Sequence, residues 1–284
     1  MTPWTIDPTT LKSAQALIDM ALAEDIGTGD ITAMTTIPAD SLSEAVLLAK
    51  AEGTLAGLPI FARVLQTVDA RLSLRPLVEE GQTITPGKRL AHMTGPTRSL
   101  LTAERTALNF LQRLSGIATM TAQYVRAVAG TRARIVDTRK TVPGHRVLDK
   151  YAVRVGGGHN HRFNLSDGVL IKDNHIAAVG SLEAAIRAAR AGAPHTLRIE
   201  IEVVNVEMAQ AAAAAGADII LLDNMTCEQL HACVQAIAGR ALTEASGNVT
   251  LATVRAIADT GVDLISSGAL THSVNALDIS LNIN

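Results

Sequence analysis

The sequence predicts an α/β fold built on a parallel sheet, and three observations favour it. Short buried-type segments alternate with helical segments from about residue 132 onward. Most of the helical segments are rich in Ala, and small residues let helices lie close on a sheet. Hydrophobic residues make up 48% of the 284 residues but aromatic residues only 2%, so the core consists mainly of Ala, Val, Leu and Ile. Such alternation forms parallel strands with right-handed crossovers, most economically a barrel.

Six strand-like segments are visible in this region, fewer than the eight of a full barrel. They are Arg134–Asp137, Gly168–Lys172, Leu197–Val203, Asp218–Asp223, Ala241–Ala245 and Asp263–Ser266. Helical patterns between them include Leu182–Ala191 and Val206–Ala215.

The first part of the chain predicts a helix, then short strands, then a long helix. Leu11–Ala23 has helical spacing, short strands fall within 45–58 and 72–93, and Arg98–Ala129 is helical again. We expect a break in that long helix at Ser115-Gly116. The predicted domains are therefore 1–115 and 116–284, and residues 274–284 are candidates to pack back on the first domain.

Composition excludes several classes of protein. A net charge of −2 and a pI near 6.4 lack the basic excess of nucleic-acid or anionic-membrane binding. No apolar run approaches a membrane span, and the first ten residues have no signal-peptide pattern. Cys227 and Cys233 are interpreted as reduced core residues. We expect a cytoplasmic protein.

Polar groups follow every predicted strand. In a parallel α/β barrel the active site lies at the carboxyl ends of the strands. The residues there are Asp137-Thr138-Arg139-Lys140, Lys172-Asp173-Asn174-His175, Glu202, Asp223-Asn224, Glu244 to Asn248 and Ser266 to Ala269. A charged or Gly-rich group at every strand end indicates a functional site.

Charges are also sorted along the chain. Seven Lys or Arg residues stand against three acids between Asp137 and Lys172, whereas seven acids stand against Arg240 alone between Glu200 and Glu244. The basic stretch suits a polyanion, and Arg binds carboxylates and phosphates through two hydrogen bonds. The acidic stretch suits a divalent cation or sugar hydroxyls.

Two Gly-containing turns follow the last two strands. Ser246-Gly247-Asn248 and Ser267-Gly268-Ala269 stand where late barrel loops commonly hold a phosphate on backbone N–H groups. Two alternatives stay open elsewhere: His159-x-His161 as a metal site, and Thr102 to Arg105 as a solvated helix turn.

Several long motifs resemble the quinolinate phosphoribosyltransferase family, in order along nearly the whole chain. They are the stretch from Asp137 to His175 (DTRKTVPGHRVLDKYAVRVGGGHNHRFNLSDGVLIKDNH), AEDIGTGDIT, ERTALNFLQRLSGIAT, GADIILLDN, EASGN and GVDLISSGALTHS. The resemblance implies an incomplete α/β barrel with an N-terminal α+β open-faced sandwich domain. It also implies a homodimer with shared active sites, and leaves a hexamer open.

Residue roles are carried over from the family position by position. Arg105, reaching in from the other subunit, and Arg139, His161, Arg162 and Lys172 would surround the two carboxylates of quinolinate. Lys140, Glu202 and Asp223 would be catalytic and would meet phosphoribosyl pyrophosphate, with Glu202 and Asp223 holding Mg²⁺ directly or through water. The 5′-phosphate would lie on Ser246-Gly247-Asn248 and Ser267-Gly268-Ala269, near His272. Thr138 is also expected to contact substrate.

This chain departs from the family pattern at one position, and three other functions are alternatives to the one implied. Many relatives carry a third alternating acid where this chain has Val204. The closest alternative is the pyrophosphorylase of molybdate-transport operons. Three motifs argue against it: KYAV, IKDNH and EASGN. A nicotinate phosphoribosyltransferase would not require so many cationic residues. A non-catalytic anion sensor would not require a complete set of residues for substrate and metal binding.

Overall fold

A computed structural model describes residues 6–283. Residues 1–5, part of the stretch interpreted above as free of a signal peptide, and residue 284 lie outside the described range. The chain divides into two compact units. The first contains the described residues up to Ala122, residues 142–157 and the residues from Ser273 onward. The second contains residues 123–141 and 158–272.

The helices and strands of the described chain are numbered in chain order. They are α1 (Pro8–Ile26), α2 (Ile31–Thr36), β1 (Leu42–Ala49), β2 (Gly53–Thr54), α3 (Leu58–Val68), β3 (Ser73–Pro76), β4 (Thr83–Ile84), β5 (Arg89–Pro96), α4 (Thr97–Ala127), β6 (Arg134–Val136), α5 (Arg146–Val155), β7 (Val169–Ile171), α6 (Asp173–Val179), α7 (Leu182–Gly192), β8 (Ile199–Val203), α8 (Val206–Ala214), β9 (Ile219–Asp223), α9 (Cys227–Ile237), β10 (Leu242–Ser246), α10 (Val254–Asp259), β11 (Leu264–Ser266), α11 (Ala269–His272) and β12 (Ile279–Ile283).

An antiparallel sheet of order β12-β1-β5-β3 forms the centre of the first unit. The predicted helix over Leu11–Ala23 is present as α1. This helix begins after Asp7, and the Asp7 carboxylate accepts a hydrogen bond from the N–H of Thr10. Helices α2 and α3 were not predicted. The latter buries Ile60, Phe61 and Val64 completely, so it belongs to the core.

Helix α4 runs through Ser115-Gly116 without interruption, so the predicted break there is wrong. Both residues serve close packing instead. The Ser115 hydroxyl contacts the backbone N–H and C=O of Ala56, each at 3.1 Å. A Cβ on Gly116 would lie 2.2 Å from the carbonyl oxygen of Asn275, so a side chain has no room there.

Six parallel strands make up the sheet of the second unit, in the order β6-β11-β10-β9-β8-β7. All six predicted strands are confirmed to within about two residues. Strands β6 and β7 lie at opposite ends of this order and do not pair with each other, which makes the barrel incomplete. At the β6 end, Val136 forms a single parallel bridge with His159.

Three smaller observations complete the fold. Strand β12 pairs antiparallel with β1, with Ala49 opposite Ile279. Both cysteines on α9 are free; Cys233 is buried, whereas Cys227 is half-buried rather than part of the core. Within residues 6–283, no helix combines the length and apolar character that a membrane crossing requires.

Gly116→Ala should lower the stability of the protein, because its added methyl group would meet the backbone of Asn275. Overpacking of this kind costs about 1–3 kcal/mol. Gly192→Ala, at the end of α7 with no atom within 4 Å of the added Cβ, is the matched control and should be neutral or slightly stabilising. Urea unfolding midpoints of the two variants and the wild type measure the difference. Equal midpoints would contradict the packing role of Gly116.

Candidate active site

A cavity of about 680 Å³ opens at the carboxyl ends of the barrel strands. Its size lies within the range of small-molecule sites. It brings together these predicted residues: Thr138, Arg139, Lys140, His161, Arg162, Lys172, Glu202, Asp223, Ser246, Gly247 and Asn248. Residues far apart in sequence meet here because parallel strands end at one edge of the sheet.

The second predicted phosphate turn lies beside Lys140. A Cβ on Gly268 would come within 2.8 Å of Lys140 Cδ and 2.9 Å of His272 Cδ2, so glycine allows both side chains to approach. Ser267 is buried and donates its backbone N–H to the carbonyl of Val136. Its amide is therefore already used within the fold, although Ser267 was predicted as a phosphate contact. Ala269 begins α11.

Arg105 belongs to the first unit, on α4. Its side chain is 61% exposed, and its guanidinium lies 4.0 Å from the carboxylate of Glu104. A contact this long and this exposed contributes little to stability.

A buried carboxylate anchors the cationic part of the cavity. Asp137, fully buried after β6, accepts hydrogen bonds from the Asn160 side chain at 2.6 Å and from the backbone N–H of His161 at 2.9 Å. Arg162 follows, and its guanidinium donates to the carbonyl of Gly168 at 3.0 Å. Burial and the nearby charge of Arg139 lower the pKa of Arg162. Two crowded guanidinium groups of this kind favour an anionic ligand.

The basic and acidic stretches of the sequence meet in space. The Lys172 ammonium lies 2.7 Å from a carboxylate oxygen of Glu202, so residues assigned to different substrates are paired in this structure. Asp223, on the neighbouring strand, accepts a hydrogen bond from the Asn224 side chain at 2.8 Å. A ligand that binds Lys172 must therefore compete with Glu202.

A second group of titratable residues lies deeper, around His161. The His161 Nε2 atom is 3.0 Å from Glu200 and 3.7 Å from Glu244, and its Nδ1 accepts the N–H of Arg162 at 2.7 Å. Among the described residues these three side chains form the one set whose potential metal-binding atoms all lie within 4.8 Å of one another. The alternative pairing of His161 with His159 as metal ligands gains no support from this set.

Of the two buried glutamates, Glu200 was not predicted as a site residue, and Glu244 was predicted only as a member of the strand-end group Glu244 to Asn248. One oxygen of each, Glu200 Oε1 and Glu244 Oε1, has no hydrogen-bond partner. Burial raises the pKa of Glu244 to about 7, the charge of Glu200 adds to the effect, and His161 opposes it. The sequence did contain a signal, because Glu200 and Glu202 alternate along β8 and side chains two apart lie on one face of a strand.

These glutamates also border a second cavity, of about 520 Å³, at the amino ends of the strands. Its lining includes Arg134 and Arg198, while His161, Arg162 and Glu244 line both cavities. The cluster around His161 therefore lies between the two openings of the incomplete barrel.

Fold and site together define an incomplete α/β barrel with a cavity lined by cations and carboxylates at the carboxyl ends of its strands. Comparison with known families narrows this class. Residues 30–115 match the N-terminal domain of quinolinate phosphoribosyl transferase, and residues 117–282 match its C-terminal domain. The chain belongs to the quinolinate phosphoribosyl transferase family.

Full-length relatives agree with this assignment. A probable nicotinate-nucleotide pyrophosphorylase (carboxylating) of Bacillus subtilis is 45% identical over 94% of this chain and 92% of the relative. The nicotinate-nucleotide pyrophosphorylase of Mycobacterium leprae is 46% identical over 95% of this chain and 97% of its own length. The crystal structure of NadC from Streptococcus pyogenes superposes with a TM-score of 0.95, at 45% identity and 99% coverage of both chains.

Glu244→Gln should change how stability depends on pH. Because the pKa of Glu244 is raised to about 7 in the folded protein, the folded state holds a proton between about pH 4.5 and 7 that the unfolded state releases. Stability should therefore fall as pH rises through this window, by a few kcal/mol at most.

Glutamine mimics the protonated acid and should remove this part of the slope. Glu207→Gln, at an exposed position on α8, is the matched control and should keep the wild-type slope. Urea unfolding midpoints at pH 5 and pH 8 compare the three proteins. An unchanged slope in Glu244→Gln would show that Glu244 is ionised throughout.

Proposed function

We propose that this protein transfers the phosphoribosyl group of phosphoribosyl pyrophosphate to quinolinate with decarboxylation. The products are nicotinate mononucleotide, pyrophosphate and CO₂, and the reaction belongs to de novo NAD biosynthesis. One observation carries the proposal: within a chain of this family, a single cavity contains crowded cations, the carboxylates of Glu202 and Asp223, and a Gly-containing turn. The cations suit a dicarboxylate, the carboxylates suit a ribose with its leaving group, and the Gly-containing turn suits a phosphate.

Quinolinate is the ligand we assign to the cationic part. Arg139, His161, Arg162 and Lys172 hold its two carboxylates. The lowered pKa of Arg162 supports this, since positive charges crowded beside Arg139 gain most from an anion between them. When quinolinate arrives, the Lys172 ammonium exchanges its contact with Glu202 for a substrate carboxylate.

Phosphoribosyl pyrophosphate is assigned to the rest of the cavity. Lys140 contacts the pyrophosphate, and Glu202 and Asp223 face the ribose. The 5′-phosphate binds at the two Gly-containing turns, Ser246-Gly247-Asn248 and Ser267-Gly268-Ala269, beside His272. Thr138 completes the substrate contacts near Lys140.

Magnesium fits the same donor set. Glu202 and Asp223 are half-buried carboxylates that line the cavity, and oxygen ligands are those that Mg²⁺ takes in proteins, often together with substrate phosphates. When bound, the ion would neutralise charge on the pyrophosphate. We infer that these two residues hold it, directly or through coordinated water.

Charge development explains what the protein groups do. Departure of pyrophosphate leaves positive charge at C1 of the ribose, which the carboxylates of Glu202 and Asp223 stabilise, while Lys140 stabilises the leaving group. The pyridine nitrogen of quinolinate then forms the bond to C1. The resulting pyridinium ring accepts the electron pair of the C2–carboxylate bond as CO₂ leaves, and C2 then takes up a proton. The protein orients the two substrates and needs no covalent nucleophile.

Assembly and location extend the proposal. We infer a homodimer in which Arg105 serves the site of the neighbouring subunit, and the exposure of Arg105 on α4 supports this. Dimers of this kind can assemble further into a hexamer. A cytoplasmic location fits the two free cysteines.

Substrate choice tests the reaction. Nicotinate lacks the 2-carboxylate, so it would neutralise less of the crowded positive charge of the cavity, and kcat/KM should be about 10³-fold or more below that of quinolinate. Phthalate keeps both carboxylates but lacks the ring nitrogen, so it should inhibit without reacting. Arg139→Ala should lower kcat/KM for quinolinate much more than for nicotinate.

Arg187→Ala, an exposed change on α7, is the control and should alter neither value. Initial rates with each pyridine, Mg²⁺ and phosphoribosyl pyrophosphate provide the measurement. Comparable turnover of the two pyridines would exclude the decarboxylating reaction, and failure of phthalate to bind would favour the molybdate-operon relative.

Subunit mixing tests the shared site. Arg105→Ala and Arg139→Ala should each be nearly inactive alone. After subunit exchange, a hybrid dimer has one site with both arginines intact, so activity should rise to about one quarter of wild type, because about half of random dimers are hybrids.

The control mixture combines Arg139→Ala with Lys172→Ala, and both substitutions lie in the second unit of the chain. Its hybrids contain no intact site, so its activity should not recover. If exchange is confirmed by mass and the first mixture also stays inactive, Arg105 does not act across subunits.

A further inference from the structure

Asn224 lies between the two parts of the cavity assigned to phosphoribosyl pyrophosphate. It follows Asp223 at the end of β9, its side chain is exposed, and it lines the cavity. The substrate contacts proposed above do not include it.

Three hydrogen bonds connect Asn224 to its surroundings. Its side-chain Nδ2 donates to Asp223 Oδ2 at 2.8 Å, and its Oδ1 accepts from Asn248 Nδ2 at 3.2 Å. Its backbone N–H donates to the carbonyl of Ser246 at 2.9 Å. One amide group thus joins the carboxylate at the end of β9 to the turn after β10.

The turn is shaped around this amide. Gly247 has φ +94°, and a Cβ built on it would lie 2.1 Å from Asn224 Oδ1 and 2.5 Å from its Cγ. Asn224 and Asn248 also have positive φ values, +53° and +52°. The Asn224 side chain therefore occupies the space that any other residue at position 247 would need.

Backbone conformation alone does not call for asparagine at position 224. Glycine adopts φ near +53° with less strain than any residue that has a Cβ, and asparagine is tolerated there. The hydrogen bonds of the side chain are solvent-exposed, where they contribute little to stability. What the amide adds is a connection between two ligand-binding groups.

We propose that Asn224 is a positioning residue that fixes the Asp223 carboxylate relative to the Gly247–Asn248 turn. Given the proposed function, on which this inference rests, both ends of phosphoribosyl pyrophosphate then bind in one prearranged frame. The amide engages Asp223 Oδ2, and among the described residues no hydrogen bond to Oδ1 competes with a ligand. Quinolinate, held by the cations on the other strands, does not depend on this frame.

Asn224→Gly tests the role with the backbone conformation preserved. Removing the hydrogen-bond partner of a metal-binding side chain typically costs about 10- to 100-fold in metal affinity or activity, and Asp223 is a proposed Mg²⁺ ligand. We expect KM for phosphoribosyl pyrophosphate to rise by this factor, with little change in KM for quinolinate or in the unfolding midpoint. Asn224→Asp should be worse, because a carboxylate would repel Asp223 and the phosphate.

Ala238→Gly is the matched control. Ala238 also has a positive φ, +51°, at the end of α9, so glycine relaxes the backbone there in the same way without touching the cavity. Its kinetic constants should equal those of the wild type.

A double-mutant cycle provides the second readout. Gly247→Ala should be strongly harmful in the wild type, where its methyl group meets the amide, and much less so in Asn224→Gly. The coupling should be about tenfold or more in kcat/KM for phosphoribosyl pyrophosphate. Effects that simply multiply would contradict a shared frame.

The outcomes separate the two levels of inference. An active wild type with unchanged KM for phosphoribosyl pyrophosphate in Asn224→Gly, or equal losses for both substrates, would overturn the positioning role alone. A wild type that does not convert quinolinate with phosphoribosyl pyrophosphate and Mg²⁺ would overturn the proposed function and the positioning role with it.

Discussion

The buried carboxylate of Asp137 holds together the open side of the barrel. Strands β6 and β7 do not pair, so the segment that carries His161 and Arg162 is not part of a strand and meets β6 only around His159. Asp137 supplies that connection through Asn160 and the backbone of His161, together with the single bridge from Val136 to His159. These contacts, with the bond from Arg162 to the carbonyl of Gly168, hold two crowded cationic side chains in one place.

Crowded like charges recur throughout the cavity. Burial and the charge of Arg139 lower the pKa of Arg162, and burial and the charge of Glu200 raise the pKa of Glu244. Both arrangements are unfavourable without a ligand or a proton, and such conflicts concentrate at functional sites. The Lys172–Glu202 ion pair, by contrast, brings opposite charges together at 2.7 Å.

Sequence reasoning was most successful where a pattern is local. Alternation of buried strands and Ala-rich helices predicted all six barrel strands, and strand ends predicted most of the cavity lining. The six-residue helix α2 was missed because so short a segment carries a weak periodic signal, whereas α3 was missed although α7 and α8, of similar length, were predicted. The break at Ser115-Gly116 was wrong because local propensity cannot show that Gly116 packs against Asn275.

The features that the sequence did not predict are contacts between residues that lie far apart in the chain. Nothing in the sequence around His161 indicates that Glu200 and Glu244 lie beside it, and the Asn224–Gly247 contact appears only when β9 and β10 are paired. Lys172 and Glu202 belonged to oppositely charged stretches, but charge order along a chain does not determine separation in space. Motif similarity was more informative here, since it indicates residues by position regardless of the contacts they make.

The pairing of β1 with β12 also has a consequence for biosynthesis. Ala49 lies opposite Ile279, about 230 positions later, so β1 leaves the ribosome long before its partner exists. Until then one edge of the first sheet has unpaired backbone groups, which are a template for association with another chain. Such non-local pairing also slows folding. The first sheet is therefore completed only after the barrel segments of the chain have been made.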